Sequence, residues 1–275
     1  MNSIQYVSDI HLEMRHGKIP KIKKMTDCEN ICLLGDIGYP HSKIYQDFMK
    51  YCSENWKNTF VLFGNHEYHN KNFDTFTMTE IEEYVKQICP KNVYFMNNNS
   101  LYLNKNNVVG NIKNEDTIVK IIGSLLWSNI SNSTSKYLND YERIYTHNTI
   151  NDFGVAFFTK LTPEYTRKLF ETNKAYIIQE LLSEPDISCI ILTHHGTHPL
   201  CQGFYQGSKL EDGYGTFIPE LFENKNLIAC INGHTHSSIN ITLPNGIKLL
   251  SNCMGYPGEK PVIVNYNQNA ILNFN

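Results

Sequence analysis

Five short apolar runs punctuate the chain, and a polar cluster follows each one at once. Residues 4–8 (IQYVS) lead to Asp9 and His11, and residues 31–34 (ICLL) to Gly35-Asp36. Residues 60–63 (FVLF) lead to Gly64-Asn65-His66-Glu67, residues 187–193 (ISCIILT) to His194-His195, and residues 227–232 (LIACIN) to Gly233-His234-Thr235-His236. Runs this short, rich in β-branched residues and bounded by glycine, predict buried strands. The spacing between them predicts helices over 42–56, 77–89 and 162–183, the second opening on a threonine cap and an acidic first turn. Residues 238–251 read as two strands around Asn245-Gly246, the preferred two-residue hairpin turn. Strand–helix alternation followed by a β-rich tail predicts a layered α/β architecture with more than one sheet. Nothing reads as a linker, so the expectation is one domain over residues 1–275.

The polar clusters share a position, the carboxyl end of a strand, where open α/β sheets place their sites. In Asp9-x-His11 and His234-x-His236, side chains two apart lie on one face of an extended chain. Glycine precedes Asp36, Asn65 and His234 and lets backbone approach closely. The clusters pool imidazole, carboxylate and amide groups without cysteine, a donor set that suits Mn, Fe, Zn or Ni rather than a thiolate zinc site. They offer too many ligands for one ion of four to six coordination. Two divalent cations bridged by a carboxylate would use them all.

Composition narrows the partners. The 275 residues carry 24 Lys+Arg against 27 Asp+Glu, a formal charge of -3, and 41% hydrophobic residues. No basic balance points to nucleic acid or to an anionic membrane. The one basic cluster, Lys18 to Lys24, reads as a solvated loop. Eight cysteines form no C-x-x-C pair, and several lie in apolar runs as reduced, buried thiols do. With neither a signal-peptide pattern nor an apolar run of membrane-spanning length, the expected compartment is the cytoplasm. The oligomeric state is left open.

The blocks SDIH, GDIG, GNHE, THH and GHTH together resemble the five signature blocks of the calcineurin-like metallophosphoesterases. LWSN, NDF, LTP and SNCMGYPGE resemble features of a bacterial-type branch of that superfamily. The resemblance implies two mixed β-sheets packed together and flanked by helices. It implies a first metal held by Asp9, His11, Asp36 and His236, and a second held by Asp36, Asn65, His194 and His234. Manganese is the first expectation for both. Asp36 would bridge the ions, a hydroxide between them would be the nucleophile, and His66 would stabilise phosphoryl charge or protonate the leaving oxygen. The substrate would be a small or medium phosphate ester, whether nucleotide, phosphodiester or phosphomonoester. A nuclease of the same superfamily is the alternative, and a non-catalytic scaffold a further one. His195, His198 and Tyr68 are candidate substrate contacts, and the segments 127–160 and 196–216 are candidate walls. Tyr39 has the spacing of the purple acid phosphatase tyrosine, but His11 makes it surplus as a ligand. Met254 stands where the closest branch would have arginine.

Overall fold

The computed structural model describes residues 2–70, 75–151, 155–259 and 265–274. Asp152 and Phe153 of the NDF block lie outside the described residues. Among the described residues fourteen strands run in chain order as β1 (Asn2–Val7), β2 (Asn30–Leu34), β3 (Asn58–Leu62), β4 (Val93–Phe95), β5 (Asn99–Asn104), β6 (Val109–Gly110), β7 (Thr117–Gly123), β8 (Tyr145–Ile150), β9 (Ala156–Lys160), β10 (Cys189–Leu192), β11 (Leu227–Asn232), β12 (Ile239–Thr242), β13 (Lys248–Ser251) and β14 (Ile271–Phe274). Four helices matter here: α1 (Lys43–Asn55), α2 (Met78–Ile88), the single turn α3 (Asp140–Arg143) and α4 (Pro163–Leu182).

The strands form two mixed sheets, β14-β1-β2-β3-β4 and β12-β13-β11-β10-β7-β5-β6, with β8-β9 apart as a hairpin. Side chains alternate even inside the continuous apolar runs. Ile4, Tyr6, Cys32, Leu34, Phe60 and Leu62 point from the first sheet into a shared core, where Ile190, Leu192, Ala229 and Ile231 of the second meet them. Ile31, Leu33, Val61, Cys189, Ile191 and Cys230 point away from that shared core, into the cluster that also holds Tyr45 and Phe48 of α1, which contacts β3, and Phe170 and Ile177 of α4, which contacts β7. Both faces of each central strand are therefore covered, which is why these strands carry no polar alternation.

The helices start where their caps dictate. Ser42 accepts from Tyr45 N, Thr77 and Glu80 form a reciprocal capping box, and Thr162 caps a helix with proline in its first turn. The β12–β13 hairpin forms, but not with the two-residue Asn-Gly turn expected. Gly246 N donates to the Leu243 carbonyl across Pro244 and Asn245, and Gly246 takes φ +89°. Around a two-residue Asn-Gly turn Pro244 would have to donate its N–H across the hairpin, and proline has none; Leu243 N donates to the Ile247 carbonyl instead, so the loop becomes a type I turn followed by a left-handed glycine.

The sheets are joined at one end. Ser8 N donates to the Asn252 carbonyl and Met254 N to the Ser8 carbonyl, which ties the end of β1 to the end of β13. β1, β2 and β3 are parallel, as are β7, β10, β11 and β13, so their carboxyl ends gather at this seam.

Candidate metal centre

Five of the seven candidate ligands leave their strands through a left-handed backbone turn. Asp9, His11, Asp36, His234 and His236 all have positive φ, between 50° and 69°. Such left-handed residues cost roughly 1–2 kcal/mol apiece outside glycine. Backbone bonds hold them: Asp9 N to the Gly35 carbonyl at 3.0 Å, and His11 N to the Asp36 carbonyl at 2.9 Å. His234 N donates to the Asp9 carboxylate at 3.0 Å.

The glycines of the blocks are spatial necessities. A Cβ on Gly64 would strike Asp36 Oδ1 and the His194 ring, and one on Gly35 would strike His194 and the Gly64 backbone. Glu67, read from the sequence as part of a ligand cluster, turns away from it. Its carboxylate accepts Gly64 N at 2.7 Å, Asp36 N at 3.0 Å and Ile37 N at 2.6 Å. It thereby staples the loop after β3 to the loop after β2. Burial, then the neighbouring Asp36 charge, pushes Glu67 up to about 7 despite those N–H groups.

Three groups of ligand-capable side chains result among the described residues: Asp9–His11–His236, Asp36–His194–His234, and His11–Glu13–His66 beside them. Asp36 faces the first two: Oδ2 lies 3.9 Å from His11 Nε2, and Oδ1 lies 3.4 Å from His194 Nε2. Hydrogen bonds assign the ring nitrogens. His194 Nδ1 donates to the Leu34 carbonyl at 2.8 Å, His236 Nδ1 to Glu259 Oε2 at 2.7 Å, and His11 Nδ1 to Glu13 Oε1 at 3.1 Å. Each bond leaves an Nε2 lone pair aimed inward, the arrangement that metal-ligating histidines use. His11 Nε2 and His236 Nε2 face one another at 3.0 Å. Asn65 Oδ1, His194 Nε2 and His234 Nε2 are buried acceptors without a hydrogen-bond partner among the described residues. Buried acceptors are rarely left unpaired. A divalent cation beside Asp36 would satisfy these three, and the facing His11 and His236 nitrogens with Asp9 offer a second donor set on its other side, so the residues fit two ions.

The electrostatics favour positive charge here. Burial pushes His194 down, but Asp36, with Asp9 behind it, outweighs burial and lifts it to about 9, so a proton takes the Nε2 position wherever a cation does not. His66 is likewise lowered by burial and raised more strongly by Asp36 and Glu13, to about 9. Asp36 itself, raised by burial, is held well below the usual carboxylate range by His66, His194 and His11.

His66 lies at the edge of the cavity. Its Nδ1 shares Glu13 Oε1 with His11, at 3.0 Å, and its Nε2 lies 4.0 Å from Asp36 Oδ2. The cavity encloses about 140 Å³ and is lined by Asn65, His66, His234 and His236 together with Tyr205, Tyr214 and Tyr256. Leu138 to Asp140 and the two tyrosines at 205 and 214 come from the segments expected to wall it.

The three candidate substrate contacts are not brought to this cavity. Tyr68 is 1% exposed, packed against Phe63 and hydrogen-bonded to Glu82, because the short helical turn 66–68 rotates it into the core. His195 is 3% exposed, its ring between those of Trp127 and His234. After β10 both His194 N and His195 N bond the Leu125 carbonyl, so the chain curls and His195 backs His234. Burial, then the adjacent His194, depresses it to about 3, so it is neutral. His198 caps a helical turn by accepting Leu200 N and packs on Phe217 and Phe222.

Conversely, sequence reasoning singled out neither Glu13, Asp140 and Glu259 nor the wall residue Tyr256. Asp140 accepts Asn65 Nδ2 at 2.8 Å and His69 Nε2 at 2.6 Å, and so aims Asn65 Oδ1 at the cluster. Glu13 was visible two residues after His11 and Glu259 within SNCMGYPGE, whereas Asp140 carried no local signal.

A family model for calcineurin-like phosphoesterases matches residues 4–238. An uncharacterised protein of Acanthamoeba polyphaga mimivirus is 30% identical over 280 residues, covering 94% of this chain and 93% of its own. The phosphopantetheinyl hydrolase of Mycobacterium tuberculosis superposes with a TM-score of 0.62 over 93% of this chain and 90% of its own, at 13% identity, a likeness of fold. Five blocks on two joined sheets and a family match across most of the chain lead to one assignment: the chain belongs to the calcineurin-like phosphoesterase family, a family of metal-dependent phosphoesterases.

Proposed function

We propose that the protein hydrolyses a small phosphate ester at a centre of two divalent metal ions, manganese being the first candidate. The observation that carries this reading is the trio of unpartnered buried acceptors, Asn65 Oδ1, His194 Nε2 and His234 Nε2, set across Asp36 from the facing His11 and His236 nitrogens. Asp9, His11, Asp36 and His236 would hold one ion, and Asp36, Asn65, His194 and His234 the other. Bound there, the ions supply a nucleophile at neutral pH and a counter-charge for phosphoryl oxygens. The chain's own groups do the rest. Asp36 fixes the separation of the two halves. Glu13 orients His66, which faces the cavity as a proton donor to the leaving oxygen. Leu138, Tyr205, Tyr214 and Tyr256 narrow the entrance, which favours a small ester over a polymer tracked across the surface.

The test is a leaving-group series. Manganese-loaded protein should hydrolyse activated aryl phosphates and slower alkyl phosphates. His66→Gln should keep its metal and lose about 10²–10⁴-fold on the alkyl esters, with less loss on the aryl ones. Equal loss across the series, or loss of metal, would remove His66 from the acid role. No hydrolysis of any mono- or diester by the metal-loaded protein would sink the reading as a whole.

A further inference from the structure

The turn after β13 is built onto the metal centre although no signature block includes it. Glu259 Oε2 accepts His236 Nδ1 at 2.7 Å and Tyr256 N at 2.9 Å. Glu259 N returns a bond to the Tyr256 carbonyl at 3.1 Å, and Gly258 closes the turn at φ +83°. Arg15 secures the preceding residue by donating to the Gly255 carbonyl at 2.9 Å. The Tyr256 ring is thus held from both sides. It lies on His11 with ring centroids 4.3 Å apart and at an edge to His236 at 4.6 Å. Its hydroxyl reaches the cavity 3.5 Å from His66 Nε2.

That distance sits at the outer limit of a hydrogen bond, so the contact leaves the phenol proton available. The residue is 39% exposed and lines the cavity, so the hydroxyl is open to an incoming group. A phenol beside an imidazole, next to the side chains that would hold the two cations, suits a phosphoryl oxygen that those cations would draw in and that needs hydrogen bonding without proton transfer. We propose that Tyr256 is a substrate-contacting residue whose hydroxyl donates to a non-bridging phosphoryl oxygen while His66 serves the leaving oxygen. This division of labour rests on the phosphoesterase reading above. Tyrosine has an ordinary pKa of about 10, which makes it a weaker proton donor than an imidazolium but a good neutral hydrogen-bond donor.

Tyr256→Phe tests it, because the ring and its stacking on His11 survive and only the hydroxyl is lost. Manganese-loaded wild type and variant are titrated with inorganic phosphate by calorimetry, alongside metal analysis and the leaving-group series. The expected result is unchanged metal content, an approximately tenfold weaker phosphate affinity, as for one hydrogen bond to a charged group, and a loss of kcat/KM that is equal for aryl and alkyl esters. His66→Gln would show the opposite, leaving-group-dependent pattern. Unaltered phosphate affinity, a loss that grows with leaving-group pKa, or release of metal would overturn the assignment. So would a wild type that does not bind phosphate. Should the wild type bind phosphate yet hydrolyse no ester, the proposed function fails while the phosphate titration still decides the role of Tyr256.

Discussion

Replacing Glu67 by glutamine separates a structural staple from a metal ligand. The substitution keeps size and shape but turns one carboxylate oxygen into an NH₂ donor. If the amide nitrogen takes the Oε2 position, Gly64 N and Asp36 N, now at 2.7 and 3.0 Å from an acceptor, face a donor instead. In the other rotamer the Ile37 N bond at 2.6 Å and the Gly38 N contact at 3.4 Å are lost. Bonds to a charged acceptor contribute about 1.5–3 kcal/mol each, so two buried losses come to roughly 3–6 kcal/mol. Removing the charge also relieves repulsion from Asp36, the second cause that raises Glu67 after burial. The net expectation is about 3 kcal/mol, which for a chain of this size lowers Tm by roughly 6–12 °C. Thermal unfolding followed by circular dichroism, with and without chelator, reads this directly. A Glu67→Gln variant melting within about 2 °C of wild type in chelator would refute the reasoning. If the variant lost metal without losing stability, Glu67 would be a ligand rather than a staple.

Gly64→Ala should leave every ligand in the sequence yet abolish the centre, since its Cβ would meet Asp36 Oδ1 and His194; displacement of that order costs about 10²-fold or more in rate, read by activity together with metal content. Burial raises Glu180, but the Lys120 ammonium, 2.8 Å away, and Ser100 together outweigh it and hold the carboxyl below its ordinary 4.5. Its contribution to stability is therefore complete above the ordinary value and is lost as pH falls through the lower folded value. Glu180→Gln should flatten the acid limb of a denaturation series, and an unchanged limb would exclude the pair as its source. Long duplex DNA should bind no tighter than ~10⁻⁴ M at physiological salt, the weak end of non-specific binding; micromolar binding in a filter or anisotropy assay would favour the nuclease alternative.

What the sequence determined by itself is local. Apolar runs of four to seven residues set the central strands, caps at Ser42, Thr77 and Thr162 set the long helices, and each signature block had to follow its strand. Spacing suffices there because strand and helix periodicities act over a few residues. The partners of those blocks were decided by tertiary structure. Asn65 is oriented by Asp140, 75 residues away, and His236 by Glu259, 23 residues away, through loops whose positions follow from how the two sheets join. The same packing turned His195 and Tyr68 inward and brought Tyr205, Tyr214 and Tyr256 to the mouth of the cavity. It also sustains the left-handed backbone at Asp9, His11, Asp36, His234 and His236, which local preference opposes. A sequence names the groups that can bind a cation; their direction depends on free energies supplied from elsewhere in the chain, and those exist only once the sheets have packed.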